Sequence, residues 1–149
     1  MTKALLIPAT GDSRIITLPS ENAHTVIHDF IGGYFDCASL ADGAIAMYVH
    51  DEGLLIGLEP NVTASILYGS PIAGDVVIVG TLNAKGERDG YDYDLPDFMY
   101  DPVFIARATI ANNTEYARQH LASLIETMDF SPRIVPMTDE MMDEWLGVK

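Results

Sequence analysis

The chain has a single cysteine, and this excludes a disulfide framework. Cys37 is that residue among 149, so no disulfide can form within the chain. It lies in a stretch typical of a strand, Tyr34-Phe-Asp-Cys-Ala, where a free cysteine is usually a small buried side chain. No His or Arg in that stretch would lower the pKa of the thiol, so the sequence does not favour a catalytic nucleophile.

Positive charge is also scarce. The chain has 8 Lys and Arg residues against 22 Asp and Glu residues, which gives a net charge of −14 at pH 7. Nucleic acids and anionic membranes are bound through positive charge, so this balance disfavours both as direct partners. It is compatible with a basic or nucleic-acid-binding protein as partner, and equally with solubility alone.

Long apolar runs are missing as well. No run approaches the roughly 18–20 residues that a membrane span needs, and the first apolar run stops at Pro8, which argues against a secretory signal. A cytoplasmic location is therefore expected. Because 48% of the residues are hydrophobic, we expect one folded domain over 1–149.

Hydrophobic periodicity predicts an α+β fold with a mixed or mainly antiparallel sheet and helices packed on one face. The predicted strands lie near 3–7, 14–18, 34–38, 44–50, 54–59 and 75–81, and the two main helices near 21–31 and 114–128. A short acidic loop, Asp51-Glu-Gly53, is predicted to join the fourth and fifth strands as a hairpin. Ser20 and Asn61 are the predicted N-caps of the first helix and of a short helix at 63–68. A helix or strand is predicted at 103–110.

Catalytic and metal-binding patterns are incomplete in this chain. The segment 69–74 has the glycine spacing of a phosphate loop, but Asp75-Val76 follows where a Lys-Ser/Thr pair is needed. His24 and His28 lie one helical turn apart, yet no third metal ligand is obvious beside them. The sequence therefore predicts no catalytic residue, no metal site and no cofactor.

The segment 89–101 is rich in both acidic and aromatic residues, and we name it the acidic-aromatic segment. It is predicted to be a surface loop that contacts a partner through Tyr91, Asp92, Tyr93, Asp94, Asp97, Phe98 and Tyr100. Aromatic side chains are favoured at interface hot spots, and carboxylates would steer a basic partner. The alternative is that these aromatic side chains fold back onto the core.

A second candidate site is a small-ligand pocket bordered by turns. Its predicted residues are Gly33, Tyr34, Asn61, Tyr68, Gly69, Pro71 and Gly74. The net charge opposes a nucleotide-like ligand there unless an arginine such as Arg14 or Arg107 lies nearby.

Several segments, in their order along the chain, carry a family resemblance. They are Lys3-Ala-Leu-Leu-Ile-Pro, Gly32-Gly-Tyr34, Asp42-Gly43, Asp51-Glu-Gly53 and the stretch 61–80 with Asn61, Gly69, Pro71 and Gly74. Together they resemble the DUF3846 family, uncharacterised domains of actinobacteria and their phages, over about 3–81. The resemblance implies a family-like core at 3–81 within the single domain, followed by a loop plus a C-terminal helical part at 82–149. The resemblance implies a phage or mobile-element accessory protein in a bacterial host cytoplasm, and it supplies no activity.

The expected function is therefore binding and modulation of a host protein without catalysis. The alternatives are a protein that sequesters a nucleotide-like ligand, with an anti-defence role, and an uncharacterised enzyme. A homodimer is also expected, because Met141, Met142, Trp145 and Leu146 would form an apolar patch on a short helix at 139–146.

Overall fold

The computed structural model describes residues 1–115 of the chain. The strands of the described part are β1 (Thr2–Ile7), β2 (Arg14–Leu18), β3 (Phe35–Leu40), β4 (Ile45–His50), β5 (Val76–Leu82) and β6 (Arg88–Tyr93). The α-helices are α1 (Ala23–Ile31), α2 (Val62–Tyr68) and α3 (Pro102–Asn113), and short 3₁₀ helices cover Ala41–Gly43 and Asp97–Tyr100. Helices packed on an antiparallel sheet confirm the predicted α+β class.

The six described strands form one sheet in the order β2-β1-β5-β4-β3, with β6 also paired to β5. Every pair is antiparallel. Strand β5 is central, because β1 and β4 flank it on either side. Its sequence, Val76-Val-Ile-Val79, is β-branched and apolar throughout, and all four side chains are fully buried.

Helices cover both faces of this sheet, which corrects the expectation that they pack on one face. Successive side chains of a strand point to opposite faces. Val76 and Ile78 share one core cluster with α2 and α3, whereas Val77 and Val79 share the other with α1. A central strand that is apolar on both sides needs both faces covered, so one helical layer would have left half of β5 exposed to water.

The predicted fifth strand at 54–59 is wrong. Residues 51–57 form turns, in which the Leu58 amide donates to the Gly53 carbonyl at 2.9 Å. The reason is topological: β3 occupies one edge of β4 and β5 occupies the other, so no edge of β4 remains for a hairpin partner. Three apolar side chains are left in solvent as a result, namely Leu54, Leu55 and Ile56, at 63%, 85% and 56% exposure.

The acidic-aromatic segment is more ordered than the predicted surface loop. Its first part belongs to β6 and its second part to the 3₁₀ helix Asp97–Tyr100. The side-chain oxygen of Asn83 accepts hydrogen bonds from the amides of Lys85 and Glu87, closing the turn that brings β6 back onto β5. At 103–110 the open choice between helix and strand is resolved as α3.

The helix caps confirm one prediction and correct another. Asn61 caps α2, since its side-chain oxygen accepts from the Ala64 amide at 3.0 Å. Ser20 does not cap α1. The N-cap residue of α1 is Asn22, which has a φ of 61° and makes no side-chain capping hydrogen bond. The Ser20 hydroxyl oxygen instead accepts a hydrogen bond from the amino group of Met1.

The predicted helix over 114–128 extends beyond residue 115, and the helix over 139–146 with its apolar patch also lies outside the described residues. Among the helices that are described, none has both the length and the apolar character to cross a membrane.

Candidate functional site

The acidic-aromatic segment is anchored to the protein from the inside. Leu95 and Met99 are 3% and 2% exposed and belong to the core cluster beneath α2 and α3. The Leu95 amide donates to the Lys3 carbonyl at 3.1 Å, and the Lys3 amide donates to the Asp94 carboxylate at 2.8 Å. The two hydrogen bonds hold the segment just before Pro96 against β1, and Met99 anchors the segment after Pro96 in the core.

The four aromatic residues of this segment divide between surface and core. Tyr91 and Phe98 are 73% and 53% exposed. Tyr93 is half-buried and donates its hydroxyl to Asp89 at 2.5 Å, and Tyr100 packs against the core. The segment therefore combines the two predicted alternatives, a partner-contacting surface and aromatic side chains folded onto the core. Tyr91 and Phe98 face solvent, and Tyr100 packs against the core.

The three carboxylates predicted to steer a partner are not equivalent. Asp92 is half-buried and accepts a hydrogen bond of 2.7 Å from the hydroxyl of Tyr48 on β4. Asp94 is exposed but receives the Lys3 amide, and Asp97 is exposed. Long-range steering would thus rest on Asp97 and Asp94, while Asp92 has a structural role between β4 and β6.

The Tyr48–Asp92 hydrogen bond sets the protonation of the tyrosine. Burial of Tyr48, together with the hydrogen bond and charge of Asp92, raises the pKa of the hydroxyl well above its ordinary value of 10.0. The folded state therefore retains a proton that the unfolded state loses above about pH 10.

We expect the free energy of unfolding to fall as the pH rises above about 10, because the unfolded state then binds fewer protons than the folded one. The slope should reach about 1.4 kcal/mol per pH unit from this group alone. In Tyr48→Phe that contribution should disappear, and the variant should be less stable at neutral pH by about 1 kcal/mol. Urea unfolding of both proteins between pH 8 and 11 measures this pH dependence. Equal slopes of the free energy of unfolding against pH in the two proteins would contradict the role of Tyr48.

The residues of the predicted small-ligand pocket differ in their surroundings within the described part of the chain. Asn61 is fully buried and hydrogen-bonds to main-chain atoms, and Gly69 is the left-handed C-cap of α2, with a φ of 78°. Gly74, with a φ of 92°, supplies one of the carbonyls that accept from Asn61. These three are structural positions.

Gly33 and Tyr34 adjoin His50 and Asp51, two residues that line the cleft described below, but are not themselves among its lining residues. A Cβ added at Gly33 would lie 2.6 Å from the His50 ring, so the glycine permits close approach of that ring. Tyr34 is 78% exposed and makes an edge contact with His28, with ring centroids 5.5 Å apart.

The remaining two members, Tyr68 and Pro71, line a real cleft of about 390 Å³. We name it the β3–α2 cleft, because its walls come from β3, the turns after β4, and the connection from α2 to β5. Its polar lining includes the carboxylates of Asp36, Asp51 and Glu52, and neither Lys nor Arg is among its lining residues. The cleft is thus negative as well as partly apolar.

Cys37 is exposed, which corrects the expectation that it is buried. Its residue borders the cleft, but its side chain lies on the opposite face of the sheet, beside its paired residue Tyr48. Its strand, β3, pairs with β4 and lies at the end of the described strand order. Partial burial and the charge of Asp92 raise the pKa of the thiol, so the thiolate form is disfavoured. Within residues 1–115, no three His, Cys, Asp or Glu side chains are placed to hold a metal ion together.

The family model described as "Domain of unknown function (DUF3846)" matches residues 1–97. The chain belongs to the DUF3846 family. No curated protein and no solved structure matches the chain.

The DUF3846 match is longer than the predicted resemblance over 3–81. It takes in β6 and the acidic-aromatic segment as far as Asp97, so most of that segment is part of the family domain. Phe98, Tyr100 and α3 follow the matched region.

Sequence reasoning missed two features of these sites. The exposed run Leu54–Ile56 was assigned to a strand, because apolar content alone does not distinguish a strand from a solvent-exposed turn. Asn112 was not singled out, yet it is fully buried and bonds to Asn61, Thr63 and the Pro8 carbonyl. The stretch Asn112-Asn-Thr114 is polar throughout, so its sequence does not indicate that Asn112 faces the core.

Proposed function

We propose that this protein binds and modulates a basic partner protein without catalysis, and that the acidic-aromatic segment is its contact surface. The observation that supports the proposal is that buried and exposed side chains both occur within this segment. Buried Leu95 and Met99 fix the backbone, which leaves Tyr91 and Phe98 exposed on a preformed support. Aromatic side chains on a preorganised backbone lose little conformational entropy on binding.

The charge around these aromatic residues favours a basic partner. Asp94 and Asp97 are exposed within the same segment. Burial raises the pKa of Tyr100, and the negative charges of Asp94 and Asp97 raise it further. Exposed carboxylates accelerate encounter with a positively charged protein, and this effect weakens as salt increases. The net charge of −14 adds a long-range field of the same sign.

The proposed setting is a bacterial host cytoplasm, with the protein encoded by a phage or mobile element and acting on a host protein. This part of the proposal rests on the family resemblance alone. The rival proposal, sequestration of a nucleotide-like ligand, has weaker support, because the side chain of Asn61 is engaged with main-chain atoms inside the fold.

The test is capture of a host protein followed by binding kinetics with matched variants. Replacing Tyr91 and Phe98 together by Ala should weaken binding at least tenfold, since each change removes an exposed aromatic contact worth about 1–2 kcal/mol. Tyr34→Ala is the control, because Tyr34 is equally exposed but lies outside the segment. Equal affinities for the three proteins would reject the surface.

Asp97→Asn should slow association and reduce its salt dependence while leaving the dissociation rate nearly unchanged. Its stability should change by less than about 0.5 kcal/mol, because the side chain is exposed. Association rates at two salt concentrations measure the effect, and an unchanged rate would remove Asp97 from the encounter surface.

A further inference from the structure

The turns after β4 expose three consecutive aliphatic side chains, which we name the aliphatic tip. Leu54, Leu55 and Ile56 are 63%, 85% and 56% exposed. Single exposed apolar residues are ordinary, but adjoining ones beside a cleft are a feature of interaction sites. Leu54 and Leu55 also line the β3–α2 cleft, so the tip and the cleft form one surface.

The tip is held in place by its own backbone. The Ile56 amide donates to the Glu52 carbonyl at 3.0 Å, and the Leu58 amide donates to the Gly53 carbonyl at 2.9 Å. Gly53 is pressed against the connection from α2 to β5, where an added Cβ would lie 2.5 Å from the Ala73 carbonyl oxygen. The aliphatic side chains are therefore presented from a closed turn, at a defined place beside the cleft.

The charge of the cleft selects among occupants. Asp36, Asp51 and Glu52 supply three carboxylates, and the lining residues include no Lys or Arg. A second copy of the chain, with its net charge of −14, would be repelled by this surface. The chain's own residues 116–149 contain six acidic and three basic residues, so their net charge is also negative and disfavours binding to this surface.

We propose that the β3–α2 cleft, together with the aliphatic tip, binds a short basic segment of a partner protein that carries an aliphatic anchor. The anchor contacts Leu54, Leu55 and Pro71, and flanking Lys or Arg side chains pair with Asp51, Glu52 and Asp36. Apolar contact supplies affinity, and the carboxylates supply the preference for basic sequence. This surface shares no residue with the acidic-aromatic segment, so the two proposals stand or fall separately.

The test uses the full chain and three synthetic peptides. Their sequences are KRLLKR, KRSSKR and EELLEE, each blocked at both ends and labelled with fluorescein for anisotropy. KRLLKR should bind, and the other two should bind at least tenfold more weakly, because one lacks the anchor and the other has the opposite charge.

Matched variants assign the binding to this surface. Leu55→Ser and Glu52→Gln should each weaken KRLLKR binding at least threefold. Ile110→Ser and Glu21→Gln are the controls, because they change an exposed aliphatic residue and an exposed carboxylate outside the cleft. Both controls should bind like the unaltered chain.

Two results would overturn the proposal. The first is equal binding of all three peptides, or none at all. The second is a Leu55→Ser variant that melts several degrees lower, or that converts a dimer to a monomer, because Leu55 would then be covered by the chain itself or by a second copy.

Discussion

Asn61→Ala should be among the most destabilising single substitutions in this protein, at about 3–5 kcal/mol. The Asn61 side chain is fully buried, and all of its hydrogen-bonding capacity is used. Its amide donates to the carbonyls of Ile7 and Gly74, each at 2.9 Å. Its oxygen accepts from the Ala64 amide at 3.0 Å and from the Asn112 side chain at 2.9 Å.

The large effect follows from the groups that the substitution would leave behind. Alanine removes the bonding partner of two main-chain carbonyls, one main-chain amide and one side-chain amide, in a place that water does not reach. Each buried polar group without a partner costs about 1–3 kcal/mol. Four elements would loosen together, because these groups belong to β1, α2, α3 and the connection before β5.

Urea unfolding measures this loss, with Asn113→Ala as the matched control. Asn113 also makes three side-chain hydrogen bonds, two with Gly11 and one with the Thr109 carbonyl, but it is exposed. Water can replace those bonds, so the control should lose about 1 kcal/mol or less. Similar losses for the two variants would contradict the argument.

Asn61→Asp separates hydrogen bonding from side-chain volume. It keeps the shape of the side chain and the acceptor for Ala64, but it turns a carboxylate oxygen towards the carbonyls of Ile7 and Gly74. We expect it to be at least as destabilising at pH 7 as Asn61→Ala, because a buried charge would face two acceptors. Part of the loss should be recovered at low pH, where the carboxyl group is protonated and can donate.

Gly80→Ala should cost about 3 kcal/mol and should detach the acidic-aromatic segment from the sheet. Gly80 pairs with Tyr93 at the end of β6, and a Cβ there would overlap the main-chain carbonyl of Asp94. The overlapping group is backbone rather than the end of a flexible side chain, so β5 and β6 would have to separate. The loss should therefore include the fixed placement of Tyr91 and Phe98, and with it partner binding.

Gly86→Ala is the control for this substitution. Gly86 has a φ of 75° and nothing within 4 Å of an added Cβ, so alanine there meets backbone strain without overlap. That strain is worth about 1–2 kcal/mol. Urea unfolding and partner binding should separate the two variants, with Gly80→Ala the worse in both. A Gly80→Ala protein that binds with unaltered affinity would mean that the spacing of β5 and β6 does not control the surface.

Local patterns predicted the elements that local physics controls. Val76-Val-Ile-Val79 is a central strand because β-branched apolar side chains favour a strand buried on both faces. Asn61 caps α2, as predicted, because a cap depends on one residue and its immediate neighbours.

The errors occurred where pairing between distant segments decided the outcome. Residues 54–58 are as apolar as a strand, yet they cannot pair with β4, because β3 and β5 occupy its two edges. Residues 88–93 are as polar as a loop, yet they complete an antiparallel pair with the end of β5. Neither result is contained in the segment concerned, since each depends on which edge of the sheet remains free.

The sequence by itself determined an acidic α+β protein of the DUF3846 family, with the strand near 75–81 and the Asn61 cap of α2. Composition and local periodicity are properties of neighbouring residues, so they can be evaluated before the chain folds. Only the tertiary structure decided which aromatic residues face solvent, which polar side chains are buried, and where carboxylates border an apolar cleft. Those features arise when residues far apart in the chain pack together, because packing determines which groups remain exposed to water.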